Sequence, residues 1–179
     1  ASFTAEAGEV LAIVGPNGAG KSTLIKILCS IHSPDAGVCL LDNQPMKQMK
    51  SDLGFLPETP YLIDELTCSQ FLRYIASMKG VNDESEIVSR LLYFGADLYA
   101  EEKIRSLSQG QRRCISLVDS LIPDPRLLIL DEPTNAFDTL TMLKLKKLIA
   151  ERRNKGMITL FSSHILDFVE NTATHILFI

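Results

Sequence analysis

The chain has 179 residues, of which 46% are hydrophobic and 22% charged, and its formal net charge is −4. This length suits a single domain, and the apolar fraction excludes a disordered polymer. The mild negative charge argues against a general affinity for nucleic acids, which requires clustered Lys and Arg.

The four cysteines form no C-x-x-C pair and no regular framework. We interpret them as buried, reduced thiols, which are typical of the cytosol. We expect neither a membrane span nor a signal peptide, since no apolar run approaches the roughly 18 residues that a span requires.

Short apolar runs end abruptly in turn residues, and helical patterns lie between them. The clearest runs are Val10–Val14, Leu127–Leu130 and 157–161. Continuous apolar strands are typical of a parallel sheet with helices on both faces. The sequence therefore predicts an α/β fold with a mostly parallel sheet, whose ligands gather at the carboxyl ends of the strands.

The loop after the first predicted strand matches the pattern G-x-x-x-x-G-K-S/T and opens a predicted helix. Its residues are Gly15, Pro16, Asn17, Gly18, Ala19, Gly20, Lys21, Ser22 and Thr23. The glycines let successive N–H groups form an anion-binding nest, to which the helix N-terminus adds partial positive charge. In such a phosphate loop Lys21 would reach the β- and γ-phosphates of a nucleotide, and Ser22 would ligate Mg²⁺.

The stretch at 59–106 lacks β-rich runs and shows helical spacing of its apolar residues. These are Phe71, Ile75 and Met78, followed by Ile87, Leu91 and Leu92. We predict a mostly helical lobe inserted into the sheet domain. With the helix that follows, the lobe spans about 59–122. We expect the chain to form a single domain at 1–179, whose core comprises about 1–58 and 123–179.

A short polar segment precedes the next predicted helix. Its residues are Leu107, Ser108, Gln109, Gly110 and Gln111. Ser108 can cap that helix, which we expect to start near Arg112, and Gly110 keeps backbone N–H groups accessible. The helix end becomes a second candidate anion site, although such a segment alone is most often a simple helix cap.

Two acids close the apolar strand Leu127–Leu130. An acidic residue at the end of a buried strand suits Mg²⁺ binding beside a nucleotide, and we assign this role to Asp131. The adjacent Glu132 can polarise an attacking water as a general base. The basic residues of the next predicted helix, at 140–153, are interpreted as a solvated face.

This combination resembles the ATP-binding cassette family, the ATPase subunits of ABC transporters. The resemblance covers essentially the whole chain, and the motifs follow the family order. Residues 107–111 are similar to the family signature L-S-G-G-Q, with Gln109 in place of the first glycine. The resemblance implies a P-loop NTPase core whose inserted helical lobe carries the signature.

Further roles follow from the resemblance, position by position. Glu132 falls on the catalytic glutamate and His164 on the switch histidine that contacts the γ-phosphate, while Asp138 falls on the D-loop aspartate. Glu58 stands where the family normally has a Mg²⁺-contacting glutamine. We interpret Glu58 as Mg²⁺-linked, the alternative being a surface loop acid.

The resemblance implies an ATP-binding and ATP-hydrolysing motor subunit that powers an ABC transporter through ATP-driven dimerisation. One partner would be a second nucleotide-binding domain, either an identical copy or a paralogue, and the signature of this chain would contact the ATP bound to that domain. The other partners would be integral membrane subunits on separate chains. It would lie peripherally on the cytoplasmic side of the membrane, docked through residues near 61–79, and no nucleic acid is expected. Three apolar residues of that segment belong alternatively to the core of the lobe: Leu62, Leu66 and Phe71.

Other interpretations of the same motifs stay open. One is a soluble cassette ATPase acting on ribosomes or DNA, although no heptad run separates Gly15 from Asp131. Another is a non-hydrolysing nucleotide sensor, which Glu132 and His164 disfavour. We also expect truncation at both ends, because residues 1–3 appear within an early strand, 175–179 form a strand with no turn after it, and the adenine-stacking aromatic of the family would precede Phe3.

Overall fold

The computed structural model describes residues 2–81 and 83–179. The strands are β1 (Val10–Val14), β2 (Leu40–Leu41), β3 (Gln44–Pro45), β4 (Leu53–Leu56), β5 (Leu127–Leu130), β6 (Ile158–Ser162) and β7 (His175–Phe178). The helices are α1 (Lys21–Leu28), α2 (Cys68–Met78), α3 (Glu84–Phe94), α4 (Gln109–Ser120), α5 (Thr139–Asn154) and α6 (Leu166–Glu170).

A five-stranded sheet with the order β4-β5-β6-β1-β7 forms the centre of the molecule. All four of its strand pairs are parallel, and β1 pairs with β6 from Val10 opposite Thr159 to Ile13 opposite Ser162. A short antiparallel pair, β2 and β3, lies outside this sheet. The predicted α/β class with a mostly parallel sheet is confirmed.

Both faces of the sheet are buried, which explains why its strands are continuously apolar in sequence. Side chains alternate along a strand, so Val10 and Ala12 join one apolar cluster, which also includes residues of α2 to α5. Leu11 and Ile13 join a second cluster on the opposite face, together with Ile25 of α1. The sheet is thus held rigidly between two layers, and its strand ends are fixed in relation to one another.

Within the described parts of the predicted lobe, residues 59–81 and 83–122, there are three α-helices, α2, α3 and α4. Phe71 is fully buried, and Leu62 and Leu66 pack against the same cluster, so these residues belong to the core. The α4 helix lies very close to the sheet, because a Cβ at Gly54 of β4 would clash with the Ser120 carbonyl oxygen. The division into a core and a lobe stays a prediction.

Four local expectations are wrong. The α4 helix begins at Gln109 rather than near Arg112, because Ser108 caps it directly. Ser2 and Phe3 lie outside any strand, although the partly buried side chain of Phe3 packs against the second apolar cluster, and Ala1 lies outside the described residues. Cys39 is half-buried, whereas the other three free thiols are buried. Arg152 of α5 does not belong to a solvated basic face, because it is buried and donates to the Pro125 carbonyl oxygen.

Among the helices in residues 2–81 and 83–179, none combines the length and apolar character needed to cross a membrane.

Candidate active site

Four neighbouring strands end at one edge of the sheet, and each is followed by a predicted site residue. The phosphate loop follows β1, Glu58 follows β4, Glu132 follows β5 and His164 follows β6. Together they line an open cleft of about 530 Å³, here called the edge cleft. Its lining residues are Asn17, Gly18, Gly20, Lys21, Ser22, Thr23, Glu58, Glu132, Asn135 and His164.

The phosphate loop curls from the end of β1 into the start of α1. Gly18 and Gly20 adopt φ values of 84° and 102°, a left-handed conformation that glycine tolerates best. Lys21 is only 7% exposed, and its Nζ donates hydrogen bonds to the carbonyl oxygens of Gly15 at 2.8 Å and Pro16 at 3.2 Å. An ammonium group therefore lies across the loop, where it can attract an anion at the helix N-terminus.

Asp131 connects the phosphate loop to the two central strands. Its side chain is buried, and Oδ1 accepts a hydrogen bond from Ser162 Oγ at 2.6 Å and a longer one from Ser22 Oγ at 3.4 Å. The hydroxyl of Ser22 and the carboxylate of Asp131 are hard oxygen ligands of the kind that Mg²⁺ prefers. This pair fits a magnesium site at the base of the edge cleft.

Glu132 and His164 form the opposite wall of the cleft. Glu132 Oε2 lies 2.9 Å from His164 Nδ1. The Glu132 side chain is 10% exposed and that of His164 is 55% exposed, so the histidine is the more accessible of the two. A carboxylate held against an imidazole can orient a water and accept its proton.

The structure places the signature segment apart from this cleft. Ser108, Gly110, Gln111 and Asp138 line a second cleft of about 340 Å³. Ser108 and Gln111 form a reciprocal capping box at the start of α4, as Ser108 was predicted to do. A Cβ at Gly110 would meet the Ala136 carbonyl oxygen at 2.8 Å, so the glycine is required for close packing.

The environments of four other residues that the sequence predicts as site residues differ from one another. Leu107 is buried, Gln109 is exposed, and Glu58 is exposed at the rim of the edge cleft. Asp138 caps α5, where hydrogen bonds from Thr141 hold the pKa of the Asp138 carboxyl below its usual range.

Three residues near the site were not predicted from the sequence: Asn135, Arg113 and Ser162. Asn135 lines the edge cleft, and Arg113 and Ser162 hydrogen-bond the backbone of Glu132. The one available signal was position, because Asn135 follows the buried strand β5 and Ser162 is the last residue of the neighbouring strand β6. Arg113 had no such signal, since adjacent arginines in a helix are usually solvated.

A family model and a similar protein both relate this chain to ABC transporters. A family model described as "ABC transporter" matches residues 1–135 of this chain. The lantibiotic transport ATP-binding protein SrtF of Streptococcus pyogenes is 35% identical over 173 residues, which cover 96% of this chain and 75% of that protein.

Two solved structures share the fold. One, described as the ATP binding subunit of an ABC transporter, superposes with a TM-score of 0.90 at 29% identity and covers 99% of this chain and 77% of its own. The other, the dimeric MJ0796, described as a bacterial ABC transporter cassette, also has a TM-score of 0.90 over 99% of this chain and 83% of its own. At 22% identity it supports the fold alone.

Proposed function

Because this chain belongs to the ABC transporter family of ATP-binding subunits, we propose that its edge cleft binds ATP with Mg²⁺ and that Glu132 and His164 direct the hydrolysis. The family's activity is ATP hydrolysis that powers transport, and the chain is an ATPase of this kind. The observation that carries the assignment of residues is the edge cleft itself, with Lys21 in its phosphate loop and the Glu132–His164 pair among its other lining residues.

The phosphate loop supplies the binding energy for the triphosphate. The backbone N–H groups at the start of α1 and the Lys21 ammonium concentrate positive potential in the edge cleft, although the whole chain is acidic. Binding a γ-phosphate there would draw Nζ of Lys21 from the carbonyl oxygens of Gly15 and Pro16 toward the phosphate oxygens.

Three side chains would hold the magnesium ion: Ser22, Asp131 and Glu58. Ser22 Oγ and Asp131 Oδ1 are 3.4 Å apart, and Glu58 lies in the same cleft lining as Ser22. When bound, Mg²⁺ neutralises charge on the β- and γ-phosphate oxygens.

Hydrolysis requires a water in line with the bond to the leaving diphosphate. Glu132 Oε2 is held by His164 Nδ1, so the second carboxylate oxygen, Oε1, can accept a hydrogen bond from that water. As the water attacks the γ-phosphorus, one of its protons moves to the carboxylate, and the bond from phosphorus to the β-phosphate oxygen breaks, so that ADP and inorganic phosphate leave. The opposite ring nitrogen of His164, Nε2, remains for contact with the terminal phosphate.

A second nucleotide-binding domain would complete the site. The edge cleft covers a triphosphate from one side only, and the signature residues line a different cleft. A head-to-tail pair would bring Ser108 and the α4 N-terminus of one subunit to the ATP of the other. The two domains are identical copies or paralogues.

Exposed apolar residues indicate where membrane subunits would dock. Tyr74 and Met78 lie one turn apart on α2 and are exposed, as is Tyr61. With such subunits on separate chains, the protein would act peripherally at the cytoplasmic face of the membrane. We expect it to sediment with membranes when it is co-expressed with the membrane subunits of its transporter and to lose that association in the double variant Tyr74→Ser, Met78→Ser. Unchanged sedimentation would exclude this face as the docking surface.

Glu58→Gln tests the magnesium assignment. Losing one ligand charge should raise the Mg²⁺ concentration for half-maximal ATPase activity by about tenfold, with little change at saturating Mg²⁺. The measurement is a Mg²⁺ titration of phosphate release at fixed ATP. Glu65→Gln is the matched control, because Glu65 is an exposed acid that does not line the edge cleft. Equal titration midpoints in the two variants would assign Glu58 to the surface.

A further inference from the structure

One buried arginine connects the signature helix to both acidic loops of the edge cleft. Arg113 of α4 is 2% exposed. Its Nη1 donates to the carbonyl oxygens of Pro57, at 3.2 Å, and Glu58. Its Nη2 donates to those of Asp131, at 2.9 Å, and Glu132, at 2.6 Å. A single guanidinium group therefore holds the segments that follow β4 and β5.

These partners are unusual for a buried charge. Buried arginines normally pair with carboxylates, yet none of the salt bridges found within residues 2–81 and 83–179 includes Arg113. Desolvation lowers the pKa of Arg113, and the nearby acids Glu58, Asp131 and Glu132 partly oppose that effect. The charge thus strengthens hydrogen bonds that fix backbone positions.

The backbone of Glu132 shows what these bonds maintain. Its φ is +48°, in the left-handed region that side chains other than glycine seldom adopt. Two groups hold this conformation from opposite sides: Arg113 binds the carbonyl oxygen at 2.6 Å, and Ser162 Oγ accepts the Glu132 N–H at 2.8 Å. Such strain persists only where its surroundings determine it, and it is common at active sites.

Arg113 also contacts the segment between β5 and α5. Its guanidinium carbon lies 5.7 Å from the centre of the Phe137 ring, within the range of a cation–π contact. The neighbouring residue, Ala136, is the one whose carbonyl oxygen packs against Gly110 of the signature segment. A displacement of the α4 N-terminus would therefore reach Glu132 through a short series of direct contacts.

We propose that Arg113 is a positioning residue for hydrolysis, which together with Ser162 holds the Glu132 backbone in its left-handed conformation and links the signature helix to the loops bearing Glu58 and Glu132. This inference rests on the proposed role of Glu132. Arg113 is buried and does not itself line the edge cleft, so we expect it to act on the rate of the chemical step rather than on nucleotide affinity.

Arg113→Lys is the principal test, because an ammonium keeps the charge but cannot reach two pairs of carbonyl oxygens at once. We expect kcat to fall roughly 10- to 100-fold, as a misplaced catalytic group would cause, while KM for ATP stays within about twofold. Ser162→Ala, which removes the hydrogen bond on the other side of Glu132, should show the same pattern. Steady-state phosphate release at saturating Mg²⁺ measures both constants.

Arg152→Lys is the matched control. Arg152 is also 2% exposed and also donates to a backbone carbonyl, that of Pro125, but within the described residues its side chain bonds only Asp124 and Pro125, which do not line the edge cleft, whereas Arg113 bonds Glu58 and Glu132, which do. The Arg152→Lys variant should lose thermal stability, as Arg113→Lys does, but it should keep the wild-type kcat.

Each other result overturns the proposal. A wild-type kcat in Arg113→Lys, an equal loss in Arg152→Lys, or a raised KM with unchanged kcat would remove Arg113 from this role. If Arg113→Lys does not fold, Ser162→Ala decides, since a normal kcat there refutes the two-sided support of Glu132. Full turnover in Glu132→Gln would instead contradict the proposed function. If Glu132→Gln is inactive and Arg113→Lys keeps the wild-type kcat, the proposed function stands and only the role of Arg113 is refuted.

Discussion

Glu132→Gln is expected to bind ATP normally and to lose nearly all turnover, with kcat reduced roughly 100-fold or more. The amide oxygen can still accept a hydrogen bond from His164 Nδ1, so the 2.9 Å contact and the local fold should persist. An amide cannot take the proton of an attacking water, and the bound ATP therefore remains intact. Phosphate release measures the turnover, and equilibrium titration with Mg²⁺ and ATP measures the binding.

A second readout follows from the proposed dimer. Unhydrolysed ATP bound between the phosphate loop of one subunit and the signature of the other should stabilise the pair. Size-exclusion chromatography of Glu132→Gln with ATP should show a dimer that ADP does not support.

The control for Glu132→Gln is Glu151→Gln, an exposed acid of α5 that does not line the edge cleft. It should behave as wild type in both assays. Undiminished phosphate release in Glu132→Gln would remove Glu132 as the base, and a monomer at every ATP concentration would contradict the ATP-dependent dimer.

The edge cleft could be anticipated from the sequence because its geometry follows from strand direction. Parallel strands bring their carboxyl ends to one edge, so polar residues after Val14, Leu130 and the 157–161 run had to lie close together. The apolar runs indicated burial on both faces for the same reason. The identity of the neighbours in the sheet order did not follow from any of these local patterns.

The supports around Glu132 could not be predicted, since they depend on contacts between distant parts of the chain. The left-handed backbone of Glu132 relies on Ser162, thirty residues away in sequence. Nothing local distinguishes Arg113 from Arg112, yet Arg112 forms a partly exposed salt bridge with Asp64 whereas Arg113 is buried. Helix phase would place Arg113 one turn before the buried Leu117, but a buried charge is improbable until its carbonyl partners are known.

The start of α4 shows how a local cap determines where a helix begins. Ser108 was predicted as a cap, yet the helix was expected to begin near Arg112. In the structure the capping box with Gln111 makes Gln109 the first helical residue. The N–H groups of this first turn lie next to Ser108, and this arrangement suits the anion contact that we propose for the signature segment.

Lys21→Ala is expected to act on binding rather than on chemistry. Lys21 is buried, and a buried ammonium facing a triphosphate makes charge-assisted hydrogen bonds worth about 1.5–3 kcal/mol. Its loss should weaken ATP affinity roughly 10- to 100-fold, and turnover at ordinary ATP concentrations should fall with it. Lys26→Ala, on the same helix but outside the cleft lining, is the control and should bind ATP as wild type does.

Thermal melting without nucleotide separates lost affinity from a loosened loop, because Lys21 also bonds Gly15 and Pro16. Normal affinity in a folded Lys21→Ala would contradict the phosphate-loop assignment, independently of the result for Glu132.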